Sequence, residues 1–284
     1  MINRYLKRTI ITTAKIIVII LILIIGLIVF FEDSFIYFPW KTPKGTVYKT
    51  AIGIDSEECD FTTADGVKIN GLYARAKGAE FTLLWCHGNA GNISDRLDML
   101  EQLVQQVGVD VFIFDYRGYG KSEGKPSEDG LYKDVDATYD FLRKQKNIPA
   151  NKIVIFGKSL GGAVAINLAS RIKGECAGLI VQSSFTSAGD MAYRVIPLFP
   201  SYLLMRNKFD SASRVGDIPM PKLFIHSPDD EVVPYKLGKE LFELASEPKR
   251  FYEVKGAGHN NAYIVGGKQY FDEIKSFLDR ITRR

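Results

Sequence analysis

The sequence predicts an α/β protein: a mainly parallel sheet of eight strands with helices on both faces, preceded by one membrane-spanning helix. Three observations carry that expectation. From about residue 82, short β-type runs alternate with stretches of helical periodicity, the pattern of a parallel sheet built from strand–helix–strand units. Several runs are apolar throughout, among them Val111-Phe112-Ile113-Phe114 and Ile153-Val154-Ile155-Phe156, as strands covered on both faces are. Residues 16–31 form sixteen consecutive positions without a polar side chain, and only Gly26 among them is not large and apolar.

Sixteen helical residues rise about 24 Å, slightly short of a bilayer core of about 30 Å. Residues 10–14 extend the stretch if Lys15 snorkels toward the headgroups, and the resulting 22 residues are enough to span. A cleavable signal peptide has a shorter apolar region and small residues before the cut. Here the exit reads Phe30-Phe31-Glu32-Asp33, so residues 1–33 are expected to be a cytoplasmic tail and an uncleaved anchor. Arg4, Lys7, Arg8 and Lys15 lie on the entry side and acids follow the span. The positive-inside rule then places the N-terminus in the cytoplasm and the remaining chain on the extracytoplasmic side. The aromatic exit Phe35-Ile36-Tyr37-Phe38-Pro39-Trp40 suits both the membrane interface and the first contacts of a folded domain.

Residues 34–284 read as one α/β domain. Runs at 59–63 and 69–75 flank Asp65-Gly66, a hairpin turn that makes an antiparallel edge. Further strands are expected at 82–86, 111–114, 153–156, 179–182, 223–225 and 251–254. Helical spacing marks 93–106, 128–144, 160–172, 235–245 and 267–281, with Asn92 and Ser127 at N-cap positions. Residues 185–218 break the rhythm. They are apolar and aromatic and carry Pro197 and Pro200, so a small cap insertion over the top of the sheet is expected.

The formal charge is +4, from 37 basic and 33 acidic residues, but residues 1–32 alone hold +3 of it. The domain is nearly neutral, which argues against a nucleic-acid partner. Cys59, Cys86 and Cys176 are scattered and odd in number; they form neither a disulfide framework nor a zinc site and are expected to be buried thiols.

In such a sheet, ligands bind beyond the carboxyl ends of the strands. After the run at 153–156 comes Gly157-Lys158-Ser159-Leu160-Gly161-Gly162, then a helix. This is G-x-S-x-G in strand–turn–helix context, a nucleophile elbow that presents Ser159 Oγ at a helix N-terminus. A serine hydroxyl needs a base, and the chain has three histidines. His259 follows Gly256-Ala257-Gly258 after the last strand and can reach back over the sheet. His87 belongs to a glycine-rich loop, and His226 is expected to pack at a strand end. The orienting carboxylate should fall between serine and histidine in the chain; Asp229, Asp230 and Glu231 all qualify, and position alone does not choose. The loop from Cys86 to Asn92 offers backbone N–H groups for an oxyanion, together with the N–H of Leu160. Lys158 is expected to be an exposed side chain, with attraction of an anionic substrate as the alternative.

These residues resemble the α/β-hydrolase superfamily and, within it, the membrane-anchored Bem46-like branch. The resemblance covers nearly the whole chain. It includes Tyr37-Phe38-Pro39, His87-Gly88-Asn89-Ala90-Gly91-Asn92, the stretch from Asp115 to Gly124, Ser184-Phe185-Thr186-Ser187, and His226 followed by Asp230, Val233 and Pro234. The family pattern aligns its acid with Asp230 and its oxyanion donors with the backbone of Asn89 and Leu160. It usually has glycine after the seventh-strand histidine, where this chain has Ser227-Pro228. For 115–124 it implies a structural loop in which Asp115 and Arg117 pair.

The resemblance implies the α/β-hydrolase fold and a serine hydrolase cleaving carboxylic esters or thioesters through an acyl-enzyme on Ser159, Asp230 and His259. No metal or organic cofactor is expected. Serine at 159 argues against the carboxylate-attack chemistry of dehalogenases and epoxide hydrolases. The apolar insertion and the nearby membrane favour a small acyl ester, a lipid or an acylated peptide as substrate. Two alternatives stand beside this reading: a serine peptidase on the same triad, and a non-catalytic binding protein. Peptidases of this fold usually carry an extra domain, for which the chain has no room, and binding proteins often lose a triad member.

Overall fold

Eight runs of β-type sequence pair edge to edge into one sheet: β1 (Ser56–Thr62), β2 (Lys68–Ala74), β3 (Thr82–Cys86), β4 (Asp110–Phe114), β5 (Ile153–Lys158), β6 (Gly178–Gln182), β7 (Lys222–His226) and β8 (Lys249–Glu253). Their order is β1-β2-β4-β3-β5-β6-β7-β8. The structure is a computed structural model that describes residues 2–43, 45–49, 53–195, 197 and 200–282. β1 pairs antiparallel with β2, and β2 with β4; every later pairing is parallel. The hairpin turns at Gly66, whose φ of +82° suits glycine.

The wholly apolar strands are apolar because the sheet has two covered faces. In β5, Ile153 and Ile155 enter one core cluster, and Val154 and Phe156 enter the other. β3 divides the same way, Leu84 and Cys86 against Leu83 and Trp85. All three cysteines are free and buried.

Two of the covering helical segments start at side-chain caps, those that follow Asn92 and Ser127. Asn92 Oδ1 accepts the Ser94 N–H at 2.8 Å and Ser127 Oγ accepts the Gly130 N–H at 3.1 Å. The predicted helix at 93–106 is a sequence of turns rather than one cylinder. It opens tightly at Ile93–Arg96, becomes regular in α3 (Leu97–Gln102), and widens at Leu103–Val107 before Gly108 ends it at φ +77°. α4 (Glu128–Asp140) widens in the same way over Phe141–Gln145, while α5 (Leu160–Ile172) matches its expected span. Between β6 and β7 the expected insertion carries three short helices: α6 (Ala188–Val195), α7 (Ser201–Leu204) and α8 (Ala212–Val215). Its residues 196, 198 and 199 lie outside the described residues. α9 (Tyr235–Leu244) precedes β8, and α10 (Ala262–Thr282), bent at Gly267, closes the chain.

One apolar helix precedes the sheet, running Ile2–Phe30, here α1, and a short α2 (Glu32–Ile36) follows it. By length and composition α1 can cross a membrane. Every residue from Arg4 to Ile24 is exposed; Ile25, Ile28 and Val29 pack partly against the domain core. The aromatic exit divides its labour. Tyr37 is buried and donates from its hydroxyl to Asn207 Oδ1 at 2.6 Å, whereas Phe35, Phe38 and Trp40 face outward.

The pairing of Asp115 with Arg117 is not what forms. Arg117 is held by Asp134, which takes both its backbone N–H (2.8 Å) and its Nε–H (2.9 Å), and by a two-pronged contact to Asp65 at 3.0 Å. Asp115 points the other way and accepts from the Ile93 N–H (3.0 Å) and the Tyr48 hydroxyl (3.2 Å). A Cβ on Gly120 would sit 1.8 Å from Asp115 Oδ2, so this loop closes around the carboxyl too tightly for any side chain there.

Candidate active site

Strand order explains where chemistry can gather. The chain runs from β3 outward to β4 on one side and then returns to β5 on the other. The loops leaving β3 and β5 therefore stand side by side at a switch point, the place where open α/β sheets bind ligands. Cys86 is paired with Gly157, so the segments 87–92 and 159–162 start level with each other.

The turn at Ser159 is sharp. Its φ and ψ are +54° and −121°, a conformation that costs a non-glycine residue about 1–3 kcal/mol and needs support from its surroundings. Support comes from both sides: the Ser159 N–H donates to Gln182 O (2.8 Å), and its carbonyl accepts from the Ser184 hydroxyl (3.0 Å) and the Gly162 N–H (2.8 Å). The flanking glycines answer to close approach. A Cβ on Gly161 would lie 2.1 Å from Cys86 O, and one on Gly157 would lie 2.4 Å from Gly161 O.

Ser159, His259 and Asp230 come together. His259 Nε2 lies 3.0 Å from Ser159 Oγ, and His259 Nδ1 lies 2.8 and 3.0 Å from the two oxygens of Asp230. A carboxylate beside Nδ1 keeps the proton there and leaves the Nε2 lone pair facing the hydroxyl. Asp230 is buried, which alone would raise its pKa. Contacts with His226 and His259 and the Val233 N–H outweigh that and hold the carboxyl below its ordinary range. The Val232 and Val233 N–H groups both donate to Oδ1, at 2.9 and 2.8 Å.

The three neighbouring acids hold three different positions. Asp229 Oδ2 accepts the Gly256 N–H at 2.8 Å, and Glu231 Oε2 accepts the backbone N–H of His259 at 3.0 Å. Only Asp230 meets the imidazole ring among these three. Glu231, a candidate for the acid by type, has a role the sequence did not show: it fastens the loop that carries the histidine. Its only sequence signal was its place beside the acid. Ser227 stands where the family pattern has glycine, and its hydroxyl fits the turn, accepting the Asp229 N–H (3.1 Å) and donating to Ala257 O (2.5 Å).

The other histidines do not approach Ser159 as ring partners. His226 Nε2 is 3.1 Å from Val233 O and 3.3 Å from Asp230 Oδ2, so it is a donor that steadies the acid from behind. His87 is fully buried; burial, and then the charge of Arg96, push its pKa down to about 3. Its Nδ1 donates to Gly88 O at 2.7 Å.

Neither the Asn89 N–H nor the Leu160 N–H donates to a protein acceptor among the described residues. Asn89 is held by its side chain: Oδ1 accepts from Phe38 N–H (3.1 Å), Ala90 N–H (2.9 Å) and the Tyr119 hydroxyl (2.7 Å), and Nδ2 donates to Ile36 O. The segment leaving the apolar helix thus fixes the loop after β3.

Lys158 is not exposed as expected. It is 7% exposed, and its Nζ donates to Asn260 Oδ1 at 3.1 Å. Burial, and then the charge of Arg96, lower its pKa to about 8. Near pH 7 the folded state carries the cost of an ammonium in a dry place. As pH rises from about 8 toward the unfolded value of about 10.5, the folded state sheds the proton first, so stability increases across that window. Lys158→Met is expected to raise stability at pH 7 by on the order of 3 kcal/mol and to reduce the rise between pH 8 and 10, of which Lys222, also lowered by burial to about 8, keeps its own share. Thermal unfolding midpoints of the two proteins across that range test it.

Above Ser159 lies a cavity of about 440 Å³, within the size range of small-molecule sites. Ser159, Leu160 and Asn89 form its floor. Met191, Ala192 and Val195 of α6 form one wall, and Ile28 and Val29 of α1 another.

A family model described as serine aminopeptidase, S33, matches residues 78–209. The chain is 34% identical over 226 residues to the Xenopus tropicalis alpha/beta hydrolase domain-containing protein 17B, covering 79% of this chain and 76% of that protein. It is 29% identical over 279 residues to the Arabidopsis thaliana alpha/beta hydrolase domain-containing protein WAV2, covering 90% of each. The esterase Pf2001 of Pyrococcus furiosus shares the fold, with a TM-score of 0.70, 22% identity, and coverage of 86% of this chain and 98% of that one.

Proposed function

The chain belongs to the α/β-hydrolase superfamily, in the Bem46-like branch with the 17B and WAV2 proteins, and from that membership and the geometry at Ser159 we propose a membrane-anchored serine hydrolase of carboxylic esters or thioesters. The observation that carries the proposal is the 3.0 Å approach of His259 Nε2 to Ser159 Oγ, with Nδ1 held by Asp230. His259 takes the Ser159 proton as Oγ bonds to the acyl carbon. The oxygen made negative in the tetrahedral intermediate is met by the N–H groups of Asn89 and Leu160. Collapse breaks the bond to the alkoxide or thiolate, which leaves with the proton from His259. Water, deprotonated by His259, then releases the acid and restores Ser159.

α1 is the anchor, and the basic residues in its first half, Arg4, Lys7, Arg8 and Lys15, orient the N-terminus to the cytoplasm, with the hydrolase domain on the far side. The domain extends over residues 34–284, with 185–218 as its cap.

A peptidase reading draws on the description of the matching family model. That match ends at residue 209, before Asp230 and His259. Cleavage of an aminopeptide also calls for a carboxylate free to hold an α-ammonium. Glu32 is the carboxylate among the described lining residues, and its oxygens already accept the backbone N–H groups of Arg206 (2.9 Å) and Asn207 (2.8 Å). The ester reading is therefore favoured. Assay of the full chain on p-nitrophenyl acyl esters, acyl thioesters and aminoacyl p-nitroanilides decides between them. Turnover of the first two with the anilides inert is expected; the reverse would establish a peptidase.

A further inference from the structure

The wall that α1 gives the cavity has a consequence for the substrate. Along this helix the residues that turn from exposed to half-buried are Ile25, Ile28 and Val29, spaced by three and four, so one face of its last turn packs on the domain. Ile28 and Val29 line the same cavity as Ser159.

This contact is fastened. Glu32, at the start of α2, is 4% exposed, and its carboxylate takes the backbone N–H groups of Arg206 and Asn207 and the Asn207 side-chain amide (3.0 Å). The same amide reaches Asp33 Oδ1 at 2.9 Å. A buried carboxylate is tolerated only with such partners. The end of α1 is thereby tied to the cap and cannot swing away without stripping them. The rim of the cavity is apolar and open: Phe35 is 65% exposed, Val195 77% and Val232 46%. Exposed apolar side chains clustered at a cavity mouth mark a surface that meets something apolar.

Resting on the hydrolase reading, we propose that the membrane helix completes the acyl-binding site, so that the substrate is an ester or thioester whose long acyl chain comes from the bilayer. The chain passes from the lipid along Ile28 and Val29 into the cavity, which places its carbonyl at Ser159. Ile28 sets the chain length accepted. Lipid tails are as apolar as the cavity wall, so a methylene that moves from one to the other gains little, and the long-to-short ratio of kcat/KM is set by how much of the chain the cavity admits past Ile28.

The test uses the full chain in phosphatidylcholine proteoliposomes and p-nitrophenyl esters from acetyl to hexadecanoyl, counting only turnover that Ser159→Ala removes. Ile28→Trp is expected to lower the dodecanoyl-to-acetyl ratio of kcat/KM at least tenfold. Ile28→Ala is expected to raise the hexadecanoyl-to-dodecanoyl ratio, and Leu21→Trp, on the exposed part of the helix, to change neither. Added lipid at constant total dodecanoyl ester should lower the rate by surface dilution. Unchanged ratios in both Ile28 variants, or an equal drop with Leu21→Trp, would overturn the assignment of α1 to the acyl site. A rate indifferent to added lipid would overturn the membrane as the source. Absence of any Ser159-dependent turnover would instead overturn the hydrolase reading, and this inference with it.

Discussion

Ser159→Ala is expected to lower kcat for acyl esters by about 10⁵- to 10⁶-fold while leaving the fold intact. Removing the hydroxyl removes the attacking atom that lies 3.0 Å from His259 Nε2, and among the described residues no other side-chain hydroxyl or thiol is hydrogen-bonded to that nitrogen. The strained backbone at 159 is held by Gln182, Ser184 and Gly162 through main-chain atoms of residue 159, which alanine keeps. Stability should therefore change little. Turnover of a p-nitrophenyl ester and the thermal midpoint, measured on one preparation, separate chemistry from folding. A variant that still turns over at a tenth of the parent rate would refute the role given to Ser159.

Asp230→Asn is expected to cost about 10⁴-fold in kcat. The amide fills the same space but can donate toward His259 Nδ1, which favours the tautomer with its proton on Nε2. The lone pair that should receive the serine proton is then occupied. The neighbouring Asp229→Asn should fall less than about threefold, because an amide oxygen still accepts the Gly256 N–H. The contrast between adjacent substitutions of identical chemistry is the useful measurement. Equal losses at the two positions would mean that the acid had been misassigned.

Much of this arrangement was legible in the sequence because local rules dominate it. The apolar strands, the N-caps at Asn92 and Ser127, and the turn at Asp65-Gly66 each follow from residues within a few positions of one another. The glycine pattern around Ser159 was equally readable, since a Cβ at Gly157 or Gly161 would collide with backbone. What stayed hidden depends on packing between distant segments. Asp229, Asp230 and Glu231 are alike in type and differ only in which loop atoms they meet, so spacing could not rank them. Lys158 looked like a surface charge because nothing near it in sequence announces Asn260, 102 residues on, as its partner. The pairing expected of Arg117 failed for the same reason: Asp134 and Asp65 reach it from a helix and a hairpin turn. The role of Glu32 in fastening the helix end to residues 206–207 is a contact across more than 170 positions.

The central claim is that Ser159 is an activated nucleophile. A fluorophosphonate reacts with a serine hydroxyl whose proton a neighbouring base can take, and leaves a stable phosphonyl ester. Labelling of the full chain, followed by mass spectrometry of its peptides, therefore tests the claim directly. The expected result is one label per chain, on the peptide containing Ser159, blocked by prior incubation with a long-chain acyl ester and absent from Ser159→Ala. No labelling of the native protein, or equal labelling of the alanine variant, would contradict it.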